Sequence, residues 1–240
     1  MNSVSSSADS LAALIKALQD APVENDAIYA YLSSVDGALL SNQIATFRAI
    51  DAETPPAGQS RHETKQWSSA KHQRKGLAFE AILGTLLMPG GRCFTSWQRL
   101  QTDTNEIDYL VALEPKSGII PVLREWGTHF ICECKSTEAF STTWLEKLFA
   151  ILNFNAAKVG LVLSKKRPSK HGNGARAHST ILRSAILGRI LLTFDLEDVE
   201  SCANGTNFLL LLRDRYIEVR TGVNELRLIT GTQQGSQQTG

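Results

Sequence analysis

The stretch HFICECKSTE, residues 129–138, places Glu133 and Lys135 inside a run that is otherwise apolar, flanked by Phe130, Ile131, Cys132 and Cys134. Alternation with a period of two predicts a strand, with Glu133 and Lys135 on one face and Cys132 and Cys134 on the other. On a solvated sheet such a pair is an ordinary same-face ion pair. Here the opposite face is apolar, and the following STEAFSTTWLEKL begins a helix that must pack over the sheet. A polar pair near the strand's end, opening into a cleft, fits this context better.

Working outward from that strand, RCFTSWQRL and EIDYLVAL read as two preceding strands, and KGLAFEAILGTLLMPGG before them as a helix of about three turns, ended by Pro89-Gly90-Gly91. After the strand come a helix around Trp144 to Ala156, the continuous apolar strand KVGLVLS, a helix from about Ala175 to Leu187, and a fifth strand, RILLTFD. LEDVESC and NFLLLLRDRYIEVR read as closing helices. Strands that come first in succession and then alternate with helices imply an α/β/α layer architecture with a mixed central sheet. Ahead of it, three short helices are expected: LAALIKALQDA capped by Asp9 or Ser10, DAIYAYLSS, and about Ala38 to Ala52. ETPPAGQS, with Pro55 and Pro56, then marks a boundary. The expected organisation is a helical module over residues 1–58, a catalytic-type domain over 59–230 and a low-complexity tail, GTQQGSQQTG, over 231–240.

Composition frames the possibilities. Hydrophobic residues make up 42% of the 240 and charged residues 20%, as in ordinary globular proteins. No apolar run approaches a membrane span, and MNSVSSSADS lacks the basic start and apolar stretch of a secretion signal, so the expected compartment is the cytoplasm. The four cysteines, a C-x-C pair and two distant singles, do not match common zinc-site spacings and read as small core residues. The net charge of +1 hides local asymmetry. Residues 59–76 hold five bases (Arg61, Lys65, Lys71, Arg74, Lys75) against Glu63, and KKRPSKHGNGAR holds Lys165, Lys166, Arg167, Lys170 and Arg176 with no acid. Such clusters suit phosphate binding, although solvated loops look the same.

Three further positions matter. Glu80 interrupts a helix whose other residues are apolar nearly all round; a carboxylate there is paired, protonated, metal-bound, or partly exposed. Asp108 opens the run YLVAL, a poor strand position by propensity, or else a turn or edge position. With Glu133 and Lys135 these residues make a chemistry that none shows alone. Two or three converging carboxylates form an oxygen site for a hard divalent cation such as Mg²⁺, and a lysine beside it orients or deprotonates water and offsets charge developing on a phosphate. Trp97, Trp126 and Trp144 read as core or interface residues rather than base-stacking platforms. His129, His171 and His178 lack the spacing of a metal site.

The ordered set GLAFEAILGTLL, NEIDYLVAL, WGTHFICECKS, KVGLVLSKK and ILLTFDLEDVE, spanning about residues 75–200, resembles the PD-(D/E)XK, or restriction-endonuclease-like, nuclease superfamily, most closely its Mrr-type branch. The resemblance implies Asp108 and Glu133 as Mg²⁺ ligands, with Mn²⁺ able to substitute, Lys135 as the residue that activates or positions water, and Glu80 as the auxiliary acid. Many Mrr-type domains carry Gln where Glu133 stands, so this chain has the acidic version; the family's proline before the aspartate is absent. The connection LEPKSGIIPVLREWG, from Leu113 to Gly127, is longer than a tight hairpin and is expected to form a lobe against DNA or a partner. The implied activity is a Mg²⁺-dependent DNA endonuclease, suited to defence against foreign DNA and acting as a homodimer or larger homo-oligomer. A structure-specific repair or junction nuclease and a catalytically silent nucleic-acid-binding module are the alternatives. No G-x-x-x-x-G-K-[ST] motif is present, so a motor would be a separate partner protein.

Overall fold

The computed structural model describes residues 29–30, 32–88, 93–101, 106–136, 141–168 and 174–222. The expected helix over LAALIKALQDA, the tail 231–240, the Pro89-Gly90-Gly91 stop, Lys170 and His171 lie outside the described residues. Tyr29 and Leu32 are helical and buried. The next helix, α1 (Gly37–Ala52), starts where the Asp36 side chain accepts the N–H of Leu39 at 2.9 Å, and it buries Leu40, Ile44 and Phe47 along one face.

Helix α2 (Arg61–Leu87) is 27 residues long, far more than the expected three turns. The cause is a capping box. The Ser60 backbone N–H donates to Glu63 Oε2 at 2.8 Å, the Glu63 N–H returns a bond to Ser60 Oγ, and no proline or glycine interrupts the chain before Gly76. Only its second half is buried, through Phe79, Ile82, Leu83, Thr85, Leu86 and Leu87. The proline-containing stretch before it ends a helix without ending a core, because Leu40, Ile44 and Phe47 of α1 share one buried cluster with Phe79 and Ile82.

Three strands follow, β1 (Phe94–Gln101), β2 (Glu106–Leu113) and β3 (His129–Lys135), joined as an antiparallel meander. The long connection between β2 and β3 is not a projecting lobe. A 3₁₀ turn (Pro115–Ile119) and helix α3 (Pro121–Trp126) fold it back, and Ile120, Leu123 and Trp126 enter the core, with the Trp126 ring edge-on to Phe130. Helix α4 (Thr142–Phe154) then crosses to β4 (Val159–Ser164), α5 (Ala175–Ile186) crosses to β5 (Ile190–Phe194), and α6 (Leu196–Ala203) and α7 (Phe208–Thr221) follow.

The strand order is β1-β2-β3-β4-β5, with β3, β4 and β5 parallel. Burial of every residue of β4 follows from its place inside a sheet covered on both sides. One face, including Phe130, Cys132, Leu161, Leu163 and Leu192, packs with α1, α2, α3, α6 and α7. The other, with Ile131, Val162 and Leu191, packs with α4 and α5 through Leu145, Leu148, Ile151, Leu152, Ala177 and Ile181. This is the α/β/α layering expected, with a mixed five-stranded sheet. Among the described residues no helix is long and apolar enough to cross a membrane.

Candidate active site

The β2–β3 ladder ends at the pair Tyr109↔Cys132, and beyond it the two strands part. Asp108 is the next residue on β2. Its Oδ2 accepts the backbone N–H of Cys134 at 2.7 Å, so a side chain satisfies a donor that the strand backbone no longer reaches. Glu133, the residue before Cys134, is 4% exposed. Its Oε2 accepts from Lys135 Nζ at 2.9 Å, while its Oε1 is buried with no hydrogen-bond partner. The fold thus brings Asp108, Glu133 and Lys135 together where β2 and β3 diverge.

The electrostatics follow from that crowding. Burial, and then the charge of Glu133, push the Asp108 carboxyl up to about 6, against the Cys134 N–H and Lys135. Burial pulls Lys135 down, but the Glu133 carboxylate outweighs it, and the ammonium ends above its ordinary value. A buried carboxylate oxygen without a donor is costly, and two carboxylates beside one ammonium leave negative charge uncompensated. Mg²⁺, the metal that the resemblance implies, fits this donor set. It would bond the partnerless Glu133 Oε1 and offset the repulsion between Glu133 and Asp108.

Glu80 is placed differently. Helix α2 docks on the sheet where the Tyr109 hydroxyl donates to the Glu80 carbonyl at 3.0 Å, and Gly84 makes room for that hydroxyl. The Glu80 carboxylate is turned toward β1. There its Oε2 accepts from Gln98 Nε2 at 3.0 Å and from Arg99 Nε at 2.9 Å. Among the described residues no three His, Cys, Asp or Glu side chains stand together as a metal cage. The three-carboxylate set expected from the sequence is therefore, in this arrangement, a pair with Glu80 as a charged neighbour. Gln98 and Arg99 were not legible as site residues in RCFTSWQRL, which reads as a uniform strand; the one signal available was a basic residue in the strand before Asp108.

Half of the basic residues in the two segments are engaged by the fold. Lys75 and Lys165 both pair with Asp51, at 2.5 and 2.6 Å, from positions far apart in the chain. Arg74 forks onto Glu53, and Lys71 donates to the Asp51 and Glu53 carbonyls while lying over the Trp67 ring. Arg167 reaches Asp195 and Asp198. Lys166 and Arg176 are exposed. His129 bridges Thr128 and the Asn155 carbonyl, a structural role. Cys93, Cys132 and Cys202 are buried and Cys134 is half-buried; all four thiols are free, and burial pushes each above its ordinary value, which disfavours the thiolate. Trp126 is buried, Trp144 half-buried and Trp97 exposed. No protein-family model, curated protein or solved structure matches this chain.

Proposed function

We propose that this chain is a Mg²⁺-dependent DNA endonuclease on a restriction-endonuclease-like fold. The observation that carries the reading is the buried, partnerless Glu133 Oε1 beside the crowded Asp108 carboxyl, with Lys135 anchored on the same glutamate. The order of elements supports it: a long helix carrying Glu80, a meander whose second and third strands carry Asp108 and Glu-x-Lys, then parallel crossovers.

Asp108 and Glu133 would hold the metal. When bound, Mg²⁺ supplies a bound water of lowered pKa and electrostatic stabilisation of the phosphodiester. Lys135, fixed by its bond to Glu133, would offer its remaining N–H groups to the attacking water and to the phosphate oxygens, where negative charge grows. The Cys134 N–H holds Asp108 in place during the reaction. Duplex cleavage needs two such sites or two successive nicks, which favours a homodimer or larger assembly. Defence against foreign DNA in the cytoplasm is the setting that the resemblance suggests, with repair or junction cleavage as the same chemistry on another substrate.

The test is supercoiled-plasmid cleavage with Mg²⁺ or Mn²⁺, beside EDTA and Lys135→Ala. Metal-dependent cutting that falls about 10²–10⁴-fold in Lys135→Ala is expected. An inert wild type that still binds DNA would replace the nuclease reading with a silent binding module.

A further inference from the structure

We infer that Arg99 contacts the scissile phosphate and that Glu80 is the residue that positions it, an inference that rests on the nuclease reading above. The β1–β2 ladder pairs Gln98 with Tyr109 and Leu100 with Ile107, and it skips Arg99, which the register sets across from Asp108. At Arg99 the backbone takes φ 53°, the left-handed region that a non-glycine residue enters at a cost of about 1–2 kcal/mol. The departure falls beside the proposed site, where such strain is most often retained for function.

Side-chain geometry points the same way. Nε of Arg99 is held by Glu80 Oε2, which also takes the Gln98 amide, and the Glu80 side chain is only 15% exposed. The Arg99 side chain is 48% exposed, and among the described residues nothing occupies its two Nη groups. A guanidinium anchored at Nε presents its remaining N–H groups as a fork matched to two phosphate oxygens. Asp108 and Glu106 add to the negative field around it. Lys71, Arg74, Lys75, Lys165 and Arg167 of the basic segments are engaged by the fold, whereas Arg99, outside those segments, is anchored at Nε with its Nη groups open among the described residues. Glu80 Oε2, with two donors already, is better placed to orient Arg99 than to bind a metal. An isolated half-exposed ion pair would contribute little to stability by itself.

A mutant cycle tests this, with Arg99→Ala, Arg99→Lys, Glu80→Ala and the double variant assayed for plasmid nicking against Mg²⁺ concentration. Arg99→Ala should lower kcat about 100-fold with an unchanged half-saturating Mg²⁺. Lysine should recover little of that loss, and added ethylguanidinium should restore part of it. Glu80→Ala should cost less, and the double variant should be no slower than Arg99→Ala alone. In EDTA, Arg99→Ala should weaken duplex oligonucleotide binding, read by fluorescence anisotropy, by about tenfold. Arg99→Ala within about twofold of an active wild type would overturn the inference and leave the nuclease reading standing. So would a Glu80→Ala variant that raises half-saturating Mg²⁺ and adds to Arg99→Ala, since Glu80 would then be a metal ligand. A wild type that never cuts overturns both.

Discussion

Asp108 and Glu133 crowd two carboxylates beside the one ammonium of Lys135. Burial and mutual repulsion raise Asp108 to about 6, so the folded apo-protein holds its proton more tightly than the unfolded chain does. The stabilising contribution of that proton is complete below about pH 4 and is lost as pH rises through about 6. Above that, ionised Asp108 costs the fold on the order of 2–3 kcal/mol. Asp108→Asn keeps an acceptor for the Cys134 N–H and removes the charge. In EDTA at pH 8 it should melt higher than the wild type, with the difference shrinking as pH falls to 4, and in Mg²⁺ its cleavage should be abolished. Equal melting temperatures at pH 8 would mean that the carboxyl is not under this strain. Glu133 and Lys135 were legible because strand alternation forces residues two apart onto one face. Arg99 was not, because its importance arises from a left-handed backbone and a partner 19 residues away on α2.

At the scale of elements, the contact between α2 and β2 sets where Glu80 stands. A Cβ at Gly84 would lie 2.8 Å from the Tyr109 hydroxyl, whose bond to the Glu80 carbonyl fastens the helix to the strand. Gly84→Ala gains about 1 kcal/mol of helix propensity. The buried Tyr109 ring has little room to swing away, so overpacking of about 1–3 kcal/mol should outweigh the gain, lowering both melting temperature and cleavage. Adding Tyr109→Phe removes the clashing oxygen and should recover stability; failure to recover would place the strain elsewhere. Helix α2 itself was under-read from sequence. Its first half is polar, and apolar periodicity is silent about a helix that emerges from the core, although the Ser60–Glu63 capping box announced its true start. The segment 113–127 was misread as a lobe because its apolar residues are short-spaced and irregular, and only the space beside Phe130 gives them a place to go.

Across the whole molecule, Asp51 at the end of α1 joins Lys75 of α2 and Lys165 after β4. Burial raises its pKa, but the Lys165 and Lys75 hydrogen bonds outweigh that and hold it below the usual carboxylate range. The pairing therefore stabilises the fold at neutral pH, and its contribution is lost as pH falls through that lowered value. Asp51→Asn should cost about 1–3 kcal/mol in denaturant titrations at pH 7, since it removes the carboxylate that two lysines, each 12% exposed, share. It also removes one negative charge beside Lys75 and Lys165, steepening the slope of log K against log salt by up to about 1 if these lysines lie along the DNA. An unchanged slope would place both lysines away from any DNA path.

The sequence by itself determined the layer order, the mixed sheet and the Glu-x-Lys strand, because these follow from local periodicity and from the succession of strands and helices. Only the tertiary structure decided that Asp108 caps a parting ladder, that Glu80 turns to Arg99, and that half of the basic residues are internal partners. Charge pairing and burial depend on residues distant in the chain: Lys165 and Asp51 lie 114 positions apart, and Arg99 meets Glu80 from another element.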